Sequence, residues 1–240
     1  MQNGPGRTRT QSPVGLVRRP WALGHLSQVS RNIIFPEGKA EKAAFPVVVS
    51  GPSGVGKTCL CQGVLTDCRD VEYSVSATTR PGRDDEVNGK DYHFVDPNRF
   101  RVMAQTGELL EWAEVHGDLY GTPRDSVLPL LAQGKLVIMD LDVQGGLSMR
   151  KVFPDGVFVF VVPPSFEILE ERLRKRKTES EDALRIRLRN AREEMKFRKY
   201  YDYLVVNDDL GDALDELKSI IAAEKCSMLR LFPGEKGDSA

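Results

Sequence analysis

The fold is decided by residues 47–58, which read VVVSGPSGVGKT. The valines predict a buried strand, and the eight letters after Ser50 fit G-x-x-x-x-G-K-[ST]. Glycines in this pattern let backbone N–H groups point at phosphate oxygens, and a helix that starts at Lys57 directs its positive end to the same place. The pattern predicts a nucleoside triphosphate site, and the alternative is a glycine-rich turn without ligand. The predicted triphosphate-binding residues are Gly51, Pro52, Ser53, Gly54, Val55, Gly56, Lys57 and Thr58.

Composition excludes several other classes of protein. The chain has 240 residues with 34 Lys+Arg and 35 Asp+Glu, so its formal net charge of -1 excludes binding of polyanions by bulk charge. The longest apolar stretch, Val157–Val162, is far shorter than the roughly 20 residues of a membrane span. Four cysteines form no CxxC pair and three histidines are scattered, so we expect neither a zinc site nor disulfides.

The first 36 residues differ from the rest of the chain. They contain five arginines and no acidic residue, which leaves 29 basic and 35 acidic residues in the remainder. We expect a disordered basic extension over residues 1–44, with a transit peptide or an upstream start codon as alternative explanations. A folded domain is expected over residues 45–225 and a tail over 226–240. We expect a cytoplasmic protein, or an organellar one if the extension is a transit peptide.

Apolar runs alternate with helical patterns along the domain. This alternation predicts an α/β fold with a parallel sheet covered on both faces. Gly134 marks the end of one helix, Asp96 caps another, and Thr178 with Glu181 has the spacing of a capping box. The predicted strands cover residues 47–49, 109–115, 136–139, 157–162 and 204–206, all as core strands except 109–115, and the predicted helices cover 57–65, 97–105, 125–133, 178–199 and 210–225.

Two acidic residues follow one buried strand. Asp140 comes directly after Leu136–Met139, where an acid beside a phosphate loop assists Mg²⁺, in this case through water. Capping of the next turn is the alternative role for Asp140. Asp142 lies two residues further, so in an extended segment both side chains face the same side.

Several further motifs follow the phosphate loop along the chain. Residues 74–83 read SVSATTRPGR, 86–94 read EVNGKDYHF and 140–145 read DLDVQG, and they are accompanied by Glu111-Trp112 and Tyr120-Gly121-Thr122. Together these motifs resemble guanylate kinase, and the resemblance runs from about residue 46 to residue 225. It implies a three-layer P-loop NTPase fold with a parallel core sheet over 45–73, 126–166 and 197–225, a small GMP-binding lobe over 74–125 and a helical lid over 167–196. It also implies Mg²⁺-dependent phosphoryl transfer from ATP to GMP and dGMP.

The resemblance assigns the remaining site residues. For each residue taken singly, the alternative to nucleotide binding is a structural role: an exposed surface position, side-chain packing or helix capping. Carboxylates suit guanine because guanine presents an N1–H and an exocyclic amine, and arginine suits phosphate because its planar fork donates two bonds. The assignments are Arg80, Arg83, Tyr92 and Tyr120 to the GMP phosphate, Ser76, Glu111, Thr122 and Asp142 to guanine, Arg172, Arg176 and Arg187 with Lys57 and Arg80 to the transferring phosphoryl group, Asn207 to adenine, and Thr58 with Asp140 to Mg²⁺.

The sequence also departs from the family and leaves rival functions open. In the turn that carries Arg80 and Arg83, Gly82 stands where the family usually has proline and Asp85 where it usually has glycine. In the lid, Lys177 replaces the usual glycine. A non-catalytic guanylate-kinase-like module that binds phosphorylated peptides is one rival, disfavoured by the intact loop, and a kinase of another nucleotide is the second. We expect small-molecule substrates, no nucleic acid or membrane partner, and a monomer or homodimer.

Overall fold

The core of the molecule is a five-stranded parallel sheet in the order β2-β7-β1-β8-β9. The structure is a computed structural model, and it describes residues 44–115, 117–175 and 181–231, apart from the side chain of Ala183. Every residue of β1 and β8 is buried, as expected for central strands covered on both faces. These strands are β1 (Pro46–Ser50), β2 (Val71–Tyr73), β7 (Leu136–Asp140), β8 (Val157–Val162) and β9 (Tyr203–Val206).

Alternating side chains of the sheet form two apolar layers. Val47 and Val49 pack with the core under α1 and α7, whereas Val48 belongs to the cluster that contains Met139 and Phe158 on the opposite face. The period of two in a strand explains why consecutive valines serve both layers. The helices are α1 (Lys57–Asp67), α2 (Pro97–Gln105), α3 (Leu128–Ala132), α4 (Val143–Val152), α5 (Phe166–Lys175), α6 (Glu181–Glu194), α7 (Leu210–Lys225) and α8 (Met228–Leu231).

A second, four-stranded sheet lies between β2 and α3 in the chain. Its order is β4-β3-β6-β5, with β3 and β4 parallel and the other pairs antiparallel. A small core that contains Ala77, Phe100 and Leu109 joins this sheet to α2. The side chain of Asp96 accepts from the Asn98 N–H at the start of α2, which confirms the predicted cap. Its strands are β3 (Ala77–Thr78), β4 (His93–Phe94), β5 (Leu109–Val115) and β6 (Asp118–Pro123).

Two predicted elements need correction. The helix predicted over 125–133 is a 3-10 turn at Arg124–Ser126 followed by the short α3, because Pro129 has no N–H to donate and restricts the residue before it. The strand over 204–206, predicted as a core strand, forms the edge of the sheet. Only one of its faces is covered, so Leu204 is 50% exposed while Val205 is 1% exposed.

The charged helix is shorter than its sequence pattern predicts. It begins at Glu181 among the described residues and ends at Glu194, after which Met195–Tyr200 form a 3-10 helix. Such tighter turns are frequent at helix ends. Thr178 of the predicted capping box, the Lys177 departure, the predicted extension up to residue 43 and the tail from residue 232 lie outside the described residues. Within the described part of the chain, no helix is long and apolar enough to cross a membrane.

Candidate active site

The phosphate loop connects β1 to α1 at the carboxyl end of the sheet. Gly51 and Gly56 have φ values of 142° and 95°, in the region that favours glycine. A Cβ on Gly51 would lie 2.2 Å from the main-chain oxygen of Val161 in β8, so a side chain there would collide with the sheet. Helix α1 begins without a side-chain cap and without an acid in its first turn. The loop therefore provides the close backbone approach that a phosphate site requires.

The Lys57 ammonium folds back onto the loop. It donates to the main-chain oxygens of Gly51 at 2.7 Å and Pro52 at 3.2 Å. Burial lowers the pKa of Lys57, and the nearby carboxylates of Asp140 and Glu194 oppose that shift. The amine thus lies inside the loop, within electrostatic reach of two acidic side chains.

Asp140 connects the loop to the end of β7. Its Oδ2 accepts from the Thr58 hydroxyl at 2.7 Å, and its Oδ1 accepts from the Tyr73 hydroxyl at 2.5 Å. Burial and then the charge of Asp140 raise the pKa of the Tyr73 phenol. Both oxygens of this carboxylate are therefore held by hydroxyl donors from different elements.

Glu194, the last residue of α6, also lies against the phosphate loop. Burial raises the pKa of its carboxylate, while the charge of Lys57 and the main chain of Ser53 oppose that shift. A protein carboxylate thus lies near the main chain of the loop that the sequence predicts for phosphate.

A guanidinium cluster lies in the segment around β3 and β6. Arg80 donates to both oxygens of Glu86 at 2.8 and 2.9 Å, and to the Tyr120 hydroxyl at 3.2 Å. Its guanidinium carbon lies 5.4 Å from the centre of the Tyr92 ring. The Arg83 N–H donates to Glu86 at 2.9 Å. The structure therefore brings together the four side chains predicted for the GMP phosphate, with Glu86 between the two arginines.

Two carboxylates meet at the start of α4. A Cβ on Gly145 would lie 2.9 Å from Glu111 Oε2 and 3.1 Å from Asp142 Oδ1, so both oxygens approach the same point. Asp142 caps α4 by accepting from the Gly145 N–H at 2.6 Å, and Glu111 accepts from the Thr122 hydroxyl at 2.6 Å. Burial raises the pKa of Glu111 to about 7, the Thr122 hydrogen bond opposes this, and the Asp142 charge adds to it. This buried carboxyl group is suited to accept hydrogen bonds from a nucleobase.

The residues predicted to bind adenine and the transferring phosphoryl group lie on several elements. Asn207 is buried and its side chain donates to the Val55 main-chain oxygen at 2.6 Å, so it supports the loop. Arg172 of α5 donates to the main-chain oxygens of Asn207 at 2.9 Å and Asp208 at 3.2 Å. Arg187 is half-buried on α6, while Arg176 lies outside the described residues.

The remaining predicted residues are close to these clusters. Ser76 is 8% exposed, and its main-chain oxygen accepts from the His93 N–H at 2.9 Å. Gly82, one of the departures from the family pattern, packs against Phe94, since a Cβ there would lie 3.3 Å from that ring. Asp85 is exposed in the same turn.

Sequence reasoning assigned no role to three residues that the structure places at the site. Glu86 lies inside a motif already singled out, three residues after Arg83, so its closeness in sequence to the two arginines was a usable signal. Tyr73 and Glu194 had none, because one ends a short strand and the other ends a charged helix. Only the tertiary structure brings them to Asp140 and to the phosphate loop.

The molecule combines a phosphate loop on a parallel sheet, a pair of carboxylates at the β7–α4 connection and an arginine cluster beside β3 and β6. This combination defines a P-loop kinase of nucleoside monophosphates. The sequence model described as guanylate kinase matches residues 43–224. The chain therefore belongs to the guanylate kinase family, whose members transfer a phosphoryl group from ATP to GMP.

Individual relatives agree with this family. The chain is 47% identical over 184 residues to a guanylate kinase of Desulfitobacterium hafniense, covering 77% of this chain and 92% of that protein. It is 46% identical to one of Thermotoga maritima, covering 76% and 88%. A crystal structure of guanylate kinase from Anaplasma phagocytophilum matches with a TM-score of 0.65 at 32% identity, covering 79% and 90%. These findings confirm the resemblance and the predicted α/β fold.

Proposed function

We propose that this chain transfers the γ-phosphoryl group of ATP to GMP and dGMP with Mg²⁺, giving ADP and GDP or dGDP. One observation carries the proposal. The connection from Asp140 to Gly145 joins the two sites, because Asp140 contacts Thr58 of the phosphate loop and Asp142 lies beside Glu111 at Gly145. Two nucleotides that use the two ends of this connection would face each other across it.

The carboxylate pair supports guanine as the acceptor base. Glu111 and Asp142 offer acceptors to the N1–H and the 2-amino group, with Thr122 and Ser76 beside them. Adenine has an acceptor at N1 and no 2-amino group, so it would leave a buried carboxylate without a partner at a cost of about 1–3 kcal/mol or more. A site built on substrate hydrogen bonds strongly rejects an analogue that lacks them.

The guanidinium cluster supports the acceptor phosphate. Arg80 and Arg83 would bind phosphate oxygens through their forks, and the Tyr92 and Tyr120 hydroxyls would donate further bonds. Glu86 keeps the Arg80 guanidinium in place before substrate arrives. None of the residues assigned to GMP is assigned to the ribose 2′ position, which is why we include dGMP.

The donor side supports a magnesium-bound triphosphate. Thr58 and Asp140 offer two side-chain oxygens 2.7 Å apart, and oxygen is the ligand atom that Mg²⁺ prefers. Bound Mg²⁺ would neutralise phosphate charge. Gly51–Thr58 would bind the triphosphate through main-chain N–H groups, and Asn207 would lie near adenine.

The transfer itself needs positioning and charge neutralisation. The GMP phosphate is already an anion, so a GMP oxygen can attack the γ-phosphorus in line without a general base. Lys57 would leave the loop carbonyls for the β- and γ-phosphates. Arg172, Arg176 and Arg187 would approach the transferring group as the lid closes, which also excludes water. We place this reaction in the cytoplasm, carried out by a monomer or homodimer.

The test is a coupled assay of the purified protein with ATP and a panel of GMP, dGMP, AMP, CMP and UMP. We expect turnover with GMP and dGMP, and roughly a hundredfold or greater loss of kcat in Lys57→Met with the fold preserved. Lys135→Met serves as the control, because Lys135 pairs with Glu72 away from the loop. Turnover that favours AMP or UMP, or a Lys57→Met enzyme at the wild-type rate, would contradict the proposal.

A further inference from the structure

We infer that Tyr73 is a positioning residue for the metal-associated carboxylate of Asp140, and that its hydroxyl tunes the affinity of the enzyme for the Mg²⁺ of MgATP. The inference builds on the proposed metal role of Thr58 and Asp140. It assigns a function to a residue of β2 that belongs to neither nucleotide-binding motif.

The register of the sheet brings Tyr73 to Asp140. Strand β2 pairs in parallel with β7, and Tyr73 lies opposite Ile138, two residues before Asp140. Residues two apart in a strand share a face, so all three side chains lie on the face that α1 covers. The ring of Tyr73 packs against the apolar cluster under α1. The phenol therefore ends beside Asp140 with its ring fixed by packing.

The two hydroxyl donors give Asp140 one defined orientation. Tyr73 donates to Oδ1 at 2.5 Å and Thr58 donates to Oδ2 at 2.7 Å. Because Thr58 gives its proton to Asp140, its oxygen lone pairs remain available for a metal ion. Tyr73 prevents the carboxylate from turning away from Thr58 and so acts on the metal site through Asp140.

The chemistry predicts a specific defect in Tyr73→Phe. Phenylalanine keeps the ring and its packing but removes the bond to Oδ1, so the carboxylate can rotate or take up water. Loss of a partner that orients a metal-associated carboxylate typically lowers metal affinity by about 10- to 100-fold. Phosphates and water supply the other metal ligands here, so the effect should be smaller than this. We expect the Mn²⁺ concentration for half-saturation to rise about threefold or more. The KM for GMP should change little.

Mn²⁺ is the probe, followed by electron paramagnetic resonance as it binds the full-length protein with a non-hydrolysable ATP analogue. Tyr203→Phe is the matched control, because the Tyr203 hydroxyl donates to Glu224 at the far edge of the same sheet. We expect the half-saturation concentration to rise in Tyr73→Phe and to stay at the wild-type value in Tyr203→Phe. Thermal unfolding of both variants checks that the fold is kept.

A double-mutant cycle separates positioning from a general structural effect. In an Asp140→Ala background, which removes the acceptor of the Tyr73 hydroxyl, Tyr73→Phe should change the Mn²⁺ half-saturation by less than about 1.5-fold, because its route to the metal is already broken. An unchanged or tighter Mn²⁺ affinity in the single variant would overturn the inference alone. A wild-type protein that binds no Mn²⁺ with the ATP analogue would overturn the metal site and the inference with it.

Discussion

At Glu111, burial and hydrogen bonding act on one carboxylate in opposite directions. Burial raises its pKa to about 7, while the Thr122 hydroxyl at 2.6 Å favours the charged form. The free enzyme therefore contains a mixture of neutral and ionised Glu111 near neutral pH. Only the ionised form accepts hydrogen bonds from both guanine donors, so GMP binding and the ionisation of Glu111 are coupled.

We expect kcat/KM for GMP to fall as the pH drops below about 7 in the wild type, because protonated Glu111 loses an acceptor. Glu111→Gln should lower kcat/KM for GMP while leaving the KM for ATP unchanged, and should remove this part of the pH profile. The ionisation of the GMP phosphate near pH 6 would remain in both profiles. An equal loss of ATP affinity would contradict the assignment of Glu111 to the base.

The same shift in pKa affects stability. Since the pKa of Glu111 is higher in the folded state than the usual 4.5, folding takes up a proton, and stability falls as the pH rises from about 4.5 to 7. We expect Glu111→Gln to have the higher melting temperature at pH 8, by about 2 °C or more, and the difference to shrink at pH 5. Calorimetry at the two pH values measures it, and the reverse order would contradict the buried charge.

At the scale of elements, the β7–α4 connection is the most constrained part of the site. Its helix starts with an Asp142 cap, and a Cβ on Gly145 would press on two carboxylate oxygens, at 2.9 Å from Glu111 Oε2 and 3.1 Å from Asp142 Oδ1. The strand before it ends in Asp140 beside Thr58. A change in this short connection should therefore affect one nucleotide more than the other, depending on which end it touches.

We expect Gly145→Ala to weaken GMP binding by about 5- to 150-fold, since overpacking costs roughly 1–3 kcal/mol and here displaces Glu111 and Asp142. The KM for ATP should stay within about twofold. Gly211→Ala is the matched control, because Gly211 is an exposed helical glycine whose Cβ would meet only Asp209. Kinetics with varied GMP and ATP would show it, and an equal rise in both KM values would speak against separate sites.

At the scale of the whole molecule, the described site residues lie between Gly51 and Asn207, and the central sheet begins at Pro46. We expect a protein that starts at residue 44 to keep kcat/KM for ATP and GMP within about twofold of the full chain. Assays of both proteins under the same conditions test this. A tenfold or greater loss would assign residues 1–43 a part in catalysis.

Much of the fold could be predicted from local sequence. Residues adjacent in the sequence are enough to predict the phosphate loop, the central strands and the Asp96 cap. The structure has all three where the sequence predicts them. Pro129, inside the helix predicted over 125–133, is a sequence signal that this helix breaks. The edge position of β9 could not be predicted, because strand order depends on which strands pair and not on the composition of any one of them.

Contiguous residues specify the available chemistry, namely a phosphate-binding loop, a turn that carries Arg80 and Arg83, and acids after a buried strand. Which of these groups meet depends on the tertiary structure. It brought Tyr73 to Asp140, Glu194 to Ser53 and Glu111 to Asp142 across long stretches of chain. The physical reason is that such contacts follow from sheet register and helix packing, which are set by the burial of apolar side chains far from the polar groups they position.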